Sequence, residues 1–502
     1  MPMRKWIWAV AIFCCIGLGG AASAAESTAS TYEYTSPEGI RFTSDTPMWD
    51  TQQLKELYEL LLQAGHSSEL AELKSVELHQ DKSVGNSGFR VGKYDPERKS
   101  ISLYEVERIP VRRTLIHEYG HHFTYYWLKK KEGVTPPRVT STSEWAKVRQ
   151  LDGYPVRFAG EKMPYNHRWD PGEIMAEDYV MLFGPSAMEQ PETNRDIVGM
   201  LRHENEYIPP VTDKPEMLKY WTSVAKMDDY ADIRTPEVTD FMKEKSEEDA
   251  SQSLYRIQFS SAAVTEHQEI DYSVKVAVFT KEDIFPQRSF YETSTSSKEP
   301  ITLTVDLADM PPLDKVAFVN LQVWAYDKAG KRLAYTPFYD HWYQLEDKKP
   351  KPSAPPFEQQ GISSMLQRDG MKKWPLVRLY YNGHGVNPQR KVYQRDGGIY
   401  VPVSYLTQQL GASMETVKAA DQDKEYQIKL PSNKVDLLLD TDAFTLNGGK
   451  GKLKKKIRME EQEPVISIED ASALLPIKTT WFEQSGTLII ENRSGGDSAA
   501  EP

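Results

Sequence analysis

Cysteine is missing from everything past residue 15, since the chain's two, Cys14 and Cys15, both sit in its opening stretch. That stretch joins Arg4 and Lys5 to an apolar run from Trp6 to Leu18 and to the small residues Ala22-Ser23-Ala24. Residues 1–24 therefore read as a secretory signal cleaved near Ala24. The run falls short of the ~20 apolar residues a membrane span needs, and no small residue directly precedes either cysteine. Neither an anchor nor a lipid attachment is expected. An exported chain left without thiols has no disulfide framework, and any metal it binds must be held by His, Asp or Glu. No later apolar run is long enough to span a bilayer, so no transmembrane anchor is expected in the mature chain. Positive charge is also in short supply. The formal net charge of −12 becomes −14 once Arg4 and Lys5 are gone, which argues against nucleic acid as a partner.

What remains, about 475 residues, suffices for about three domains. Residues 25–245 mix helical and strand patterns. "TQQLKELYELLLQAG" repeats Leu at helical spacing and closes on Gly65, and a further helix is expected near Leu218–Met227. "SGFRVGKYDPERKSISLYEVE" alternates on both sides of a Tyr-Asp-Pro-Glu turn, as a hairpin does. Residues 252–346 change to period two in "LYRIQF", "YSVKVAVF" and "ITLTVDL", with Asp327-Lys328-Ala329-Gly330 as a hairpin turn. Short strands of this kind predict a β-sandwich of immunoglobulin or fibronectin type, with His341 in its core or rim. Residues 347–372 are rich in proline and charge and read as an extended linker.

Residues 373–491 contain an internal repeat. Asn382-Gly383 falls on Asn447-Gly448, Val401 on Ile466, Val403 on Ile468 and Leu410 on Leu475, all at one offset. Each half reads as strand, Asn-Gly turn, strand and short helix. These halves resemble the domain named after the N-terminal region of copper amine oxidases, common in exported Gram-positive proteins. The resemblance implies attachment to a cell-wall or surface ligand. It does not imply copper here, because His384 is the only histidine past residue 341 and copper sites want several imidazoles. The basic stretch "GKGKLKKKIR" reads as a solvated face, and residues 492–502 as a disordered tail.

Histidine is scarce, ten in 502 residues, yet "LIHEYGHHF" holds three with a glutamate among them. Pro110 suits a first helical turn, Lys129–Lys131 the last, and Gly133 the stop. On that helix His117 and His121 lie one turn apart and can share one ion. Glu118 stands beside them, where a carboxylate can take a proton from water. This is H-E-x-x-H on a helix, the pattern of zinc hydrolases, and it implies Zn2+ as cofactor. His122 points about a quarter-turn away and is left out of the metal shell. A catalytic zinc usually has three protein ligands. "NHRWDPGEIMAEDYVMLFGP" offers Glu173, with Glu177 and His167 as alternatives. Asp170 suits a helix N-cap, Pro171 a first turn, and Gly184-Pro185 the stop. Glu173 and Glu177 share a helical face, so one can bind metal while the other holds a ligand imidazole. The spacing Asp170-x-x-Glu173 is equally that of a capping box.

His117-Glu118-x-x-His121 followed by Glu173-x-x-Ala176-Glu177 resembles the gluzincin metallopeptidases, in the flavour of anthrax lethal factor's catalytic domain and the secreted Pro-Pro endopeptidases. The resemblance covers about residues 88–184 and implies an α+β zincin-like domain over 25–245. It makes Glu173 the third zinc ligand and Glu177 a supporting residue. A tyrosine shortly before the ligand stabilises the oxyanion in that family; Tyr165 is the nearest here, and His167 is the alternative. One strand of the hairpin at 88–104 would bind extended protein or peptide substrate along its edge. The expectation is a secreted, extracellular zinc endopeptidase associated with the cell surface. The alternative is a non-catalytic surface protein that keeps a zincin fold for its shape.

Overall fold

A computed structural model describes residues 31–493 apart from 84–89, 153, 163–164, 186–202, 206–207, 228–232, 245–253, 280–283, 308–317, 328–331, 338–339, 347–348, 356–377, 387–391, 396, 419–423, 431–432, 461 and 483–486. The expected signal, the turn at 328–330, most of the linker and the tail beyond Arg493 lie outside the described residues. The chain is a multidomain α+β protein with several open sheets and, among the described residues, seven α-helices.

The first region holds strands β1 (Tyr32–Thr35), β2 (Arg41–Ser44), β3 (Ser75–His79), β4 (Gly92–Asp95) and β5 (Ser100–Tyr104) in one sheet of order β1-β2-β3-β5-β4. β2, β3 and β5 run parallel, while β1 and β4 close the two edges antiparallel. The alternation read from the sequence buries Ile101 and Leu103 on β5, and β3, which the sequence reading did not single out, buries Val76 and Leu78 in the same way. Its helices are α1 (Thr51–Gln63), α2 (Val111–Glu132), α3 (Glu144–Val148), α4 (Pro171–Phe183) and α5 (Pro215–Ala225). Asp50 and Gln53 form a reciprocal capping box on α1. Pro110 is the N-cap of α2 rather than part of its first turn, and Gly133 ends it in the left-handed conformation at φ 73°. Leu115, Ile116, Tyr119 and Phe123 are buried in the core beneath.

α4 begins as expected at Asp170-Pro171 and stops at Gly184. It is not closed by a capping box. Asp170 accepts from the Gly172 amide, but the Asp170 amide itself donates to the His167 carbonyl, which leaves Glu173 no capping partner there. α2 and α4 cross where Gly120 meets Ala176. A Cβ on Gly120 would stand 2.9 Å from the Ala176 carbonyl oxygen and 3.0 Å from Tyr179 Cβ. Two small residues thus let the helices approach, and that approach brings their polar faces together.

The second region comprises β6 (Val238–Lys243), β7 (Leu254–Phe259), β8 (Ile270–Phe279), β9 (Ile284–Ser294), β10 (Ile301–Asp306), β11 (Phe318–Asp327), β12 (Arg332–Tyr335), β13 (Trp342–Glu346) and β14 (Lys349–Pro352). A three-stranded sheet, β10-β7-β6, and a six-stranded sheet, β14-β13-β11-β8-β9 with β12 on β11, share one core. Two expectations need correction. Lys349–Pro352, read as linker, pairs with β13 as the sheet's edge, where the missing proline amides cost no internal ladder bond. β6 (Val238–Lys243), read within 25–245, pairs instead with β7 in the second region's smaller sheet. The two regions also touch: Trp324, Leu333 and Tyr335 belong to the first region's core, and the Tyr335 hydroxyl meets Met181 of α4.

In the third region the two Asn-Gly pairs form the expected turns, with φ of 47° and 84° at Asn382-Gly383 and of 52° and 87° at Asn447-Gly448. Val401 and Ile466, equivalent in the repeat, face each other across an antiparallel pair. α6 (Val403–Gln409) and α7 (Ile468–Leu474) follow these strands, and both halves fill one core.

Candidate metal centre

His117 and His121 project from α2 with rings 5.0 Å apart and nearly perpendicular. From the first turn of α4, Glu173 Oε2 lies 3.3 Å from His117 Nε2 and 3.2 Å from His121 Nε2. One donor atom from each of the three residues lies within 4.8 Å of the others. Metal–ligand bonds of about 2.0–2.1 Å at tetrahedral angles put neighbouring donors roughly 3.4 Å apart. The two nitrogen–oxygen separations fit that spacing, so the set suits a zinc-sized cation.

The imidazole of His117 is oriented from behind. Its Nδ1 meets Glu177 Oε1 at 2.7 Å, which turns Nε2 towards Glu173. The other Glu177 oxygen accepts from Arg113 at 2.9 Å and from the Glu204 amide at 3.0 Å. Burial works against the charges of Glu173 and Glu177. Hydrogen bonds from His117, His121 and His167 outweigh it for Glu173, and Arg113 with His117 outweigh it for Glu177, so both carboxyls sit far below the usual range. Burial also disfavours a proton on His117, but contacts with Glu173 and Glu177 prevail and raise its pKa. A bound cation competes with that proton, so metal affinity should fall on acidification.

Glu118 is buried with a raised pKa; burial is the main cause, and the two histidines only partly offset it. Its carboxylate lies against β4 at Gly92, where the nearby Tyr94 backbone also favours its charged form. A Cβ on Gly92 would collide with Glu118 Oε1, so glycine at that position leaves the carboxylate its room. β4, the sheet's edge, is therefore the strand of the hairpin that borders the cluster. His122 is turned away, between the Tyr94 hydroxyl at 2.9 Å and the Glu69 carbonyl at 2.8 Å. Burial pushes its pKa down to about 4, which leaves it neutral. Glu69 is itself buried beneath Tyr119 and Trp127, which donate to its carboxylate.

The remaining candidates lie at the rim. Tyr165 is 61 % exposed, with its hydroxyl 3.1 Å from His167 Nδ1. His167 Nδ1 is also 3.3 Å from Glu173 Oε1, and Nε2 is 3.3 Å from Glu204 Oε2. The contact with Glu173 is the largest influence on His167 and raises its pKa.

Several partners escaped the sequence reading. Arg113 lies one turn before His117, a spacing that could have flagged it. Gly92, Tyr94 and Glu204 gave no signal, since strand register and the non-periodic stretch at 203–205 reveal no neighbours. Deeper in, Arg149 and Asp178 pair at 2.8 Å, both fully buried, and His203 Nε2 reaches Asp178 at 3.2 Å.

Residues 380–490 match the copper amine oxidase N-terminal domain family, and this part of the chain is a domain of that type. No curated protein matches the chain.

Proposed function

We propose that the protein is an exported zinc-dependent endopeptidase. In this reading the first region, up to the start of β6, is a zincin-like domain of gluzincin type, and the second region, β6 included, is an immunoglobulin- or fibronectin-like β-sandwich. The copper amine oxidase N-terminal-like domain would serve attachment to a cell-wall or surface ligand. The observation that carries the proposal is the convergence of His117, His121 and Glu173 next to a buried Glu118.

Zinc held by the three ligands would polarise the scissile carbonyl and acidify water. Glu118 accepts the proton of the attacking water and returns it to the leaving amine, a role its raised pKa suits. Glu177 keeps the His117 ring oriented, while Arg113 and the Glu204 amide keep Glu177 charged and fixed. Tyr165 or His167 supplies a donor for the oxyanion. An extended peptide adds to β4 as a further strand.

The test is zinc content by mass spectrometry on the mature chain, followed by digestion of a proteome-derived peptide library with and without chelator. Stoichiometric zinc with chelator-sensitive cleavage supports the proposal. A chain that binds no zinc and cleaves nothing is the non-catalytic surface protein instead.

A further inference from the structure

A ligand carboxylate held by one oxygen can still turn about its last torsion, which is broad and two-fold. Glu173 is held by both. Oε2 faces His117 and His121, and Oε1 faces His167 Nδ1 at 3.3 Å. His167 is fixed in turn, because its Nε2 lies 3.3 Å from Glu204 Oε2. Glu204 belongs to a short segment tied down at every residue. The His203 ring meets Asp178, the Glu204 amide donates to Glu177, and Asn205 Nδ2 donates to the Arg168 carbonyl at 2.9 Å. The Asn205 amide also donates to His203 Nδ1 at 2.8 Å, which leaves Nε2 to carry the proton towards Asp178.

We propose that His167 and Glu204 brace the outer oxygen of Glu173, so that His167 is a positioning residue of the metal site and not an oxyanion donor. This inference rests on the metallopeptidase reading above. The geometry gives the site two supports. Glu177 holds a ligand imidazole by its far nitrogen, and His167 holds the ligand carboxylate by its far oxygen. Residues 203–205 join them, since the amide of Glu204 reaches Glu177 while its side chain reaches His167. With a carboxylate at each ring nitrogen, His167 has no free donor to aim at a reacting carbonyl. That leaves Tyr165, exposed and against the same ring, as the oxyanion candidate.

The experiment uses the full mature chain and the variants His167→Ala and Glu204→Gln. Zinc affinity is read by competition with a chromophoric chelator, and turnover is measured at limiting and saturating zinc. Loss of a support typically weakens metal binding about 10–100-fold. His167→Ala should show that loss and regain most of its kcat at saturating zinc. Glu204→Gln, half-exposed and of the same shape, should show a smaller loss of the same kind. An oxyanion donor behaves differently: wild-type zinc affinity in His167→Ala, with kcat down about 100–1,000-fold at any zinc concentration, overturns the brace. Wild-type affinity in both variants with unchanged turnover overturns it too. A wild-type chain that binds no zinc overturns the metallopeptidase reading and the brace together.

Discussion

The first and third regions each bring two elements face to face, with opposite results. In the third, two copies of one strand-turn-strand-helix unit pair through Val401 and Ile466 and bury aliphatic side chains between them. In the first, α2 and α4 cross at Gly120 and Ala176 and turn histidines and glutamates towards each other. Burying four ionisable groups at one crossing is costly unless each finds a partner. The contrast teaches where to look for chemistry: in the pairing that places charge inside, not in the one that repeats most cleanly.

The largest expected effect breaks the crossing's charge balance. Glu173→Ala leaves two imidazoles, too few for a tight site, and should purify largely zinc-free and inactive. Glu177→Ala should keep zinc with affinity lowered about 10–100-fold. Zinc content and melting temperature of both variants check this. A zinc-replete Glu173→Ala would remove Glu173 from the ligand set.

Glycine substitutions separate the two regions. Gly120→Val drives a side chain into the Ala176 backbone and should cost about 1–3 kcal/mol while also releasing zinc. Gly448→Ala meets no neighbouring atom, but at φ 87° it should cost about 1 kcal/mol in the third region and leave zinc content untouched. Equal zinc loss in both would mean the two regions are not independent in the way described.

His122 supplies a pH-dependent difference. Its pKa in the folded chain is about 4, against 6.5 as the ordinary value. The unfolded chain therefore binds the proton first as pH falls. The stability this neutral ring contributes is complete above 6.5 and is lost progressively between 6.5 and 4. The loss should be roughly 3 kcal/mol. Denaturant melts of wild type and His122→Gln across that range should converge at low pH. Parallel curves would show that His122 does not titrate as its burial requires.

Local chemistry was legible in the sequence, and long-range assembly was not. The ends of α4, the Asn-Gly turns and the repeat register follow from caps, turn residues and offset, all set within a few residues. His117 and His121 were legible because helical spacing fixes their shared face, whereas spacing left Glu173, Glu177 and His167 as alternatives and the family resemblance favoured Glu173. The seat of Glu118 against Gly92 of β4 depends on which strand ends the sheet, and residues 203–205 make contacts about 25 to 37 residues away in sequence. Composition misled at Lys349–Pro352, where prolines occupy an edge that tolerates them. Alternation alone did not show that Val238–Lys243 pairs with Leu254–Phe259 across the expected boundary, nor that Tyr335 packs onto the helix that carries Glu173.

In the proposed function the crossing of α2 and α4 holds a metal for Glu118 to work beside. Glu118→Gln tests it most directly, since the amide keeps the shape of the side chain and removes the base. Purified mature Glu118→Gln should carry zinc at wild-type stoichiometry and show no peptide cleavage above background. Substantial turnover by the zinc-loaded variant would contradict the account.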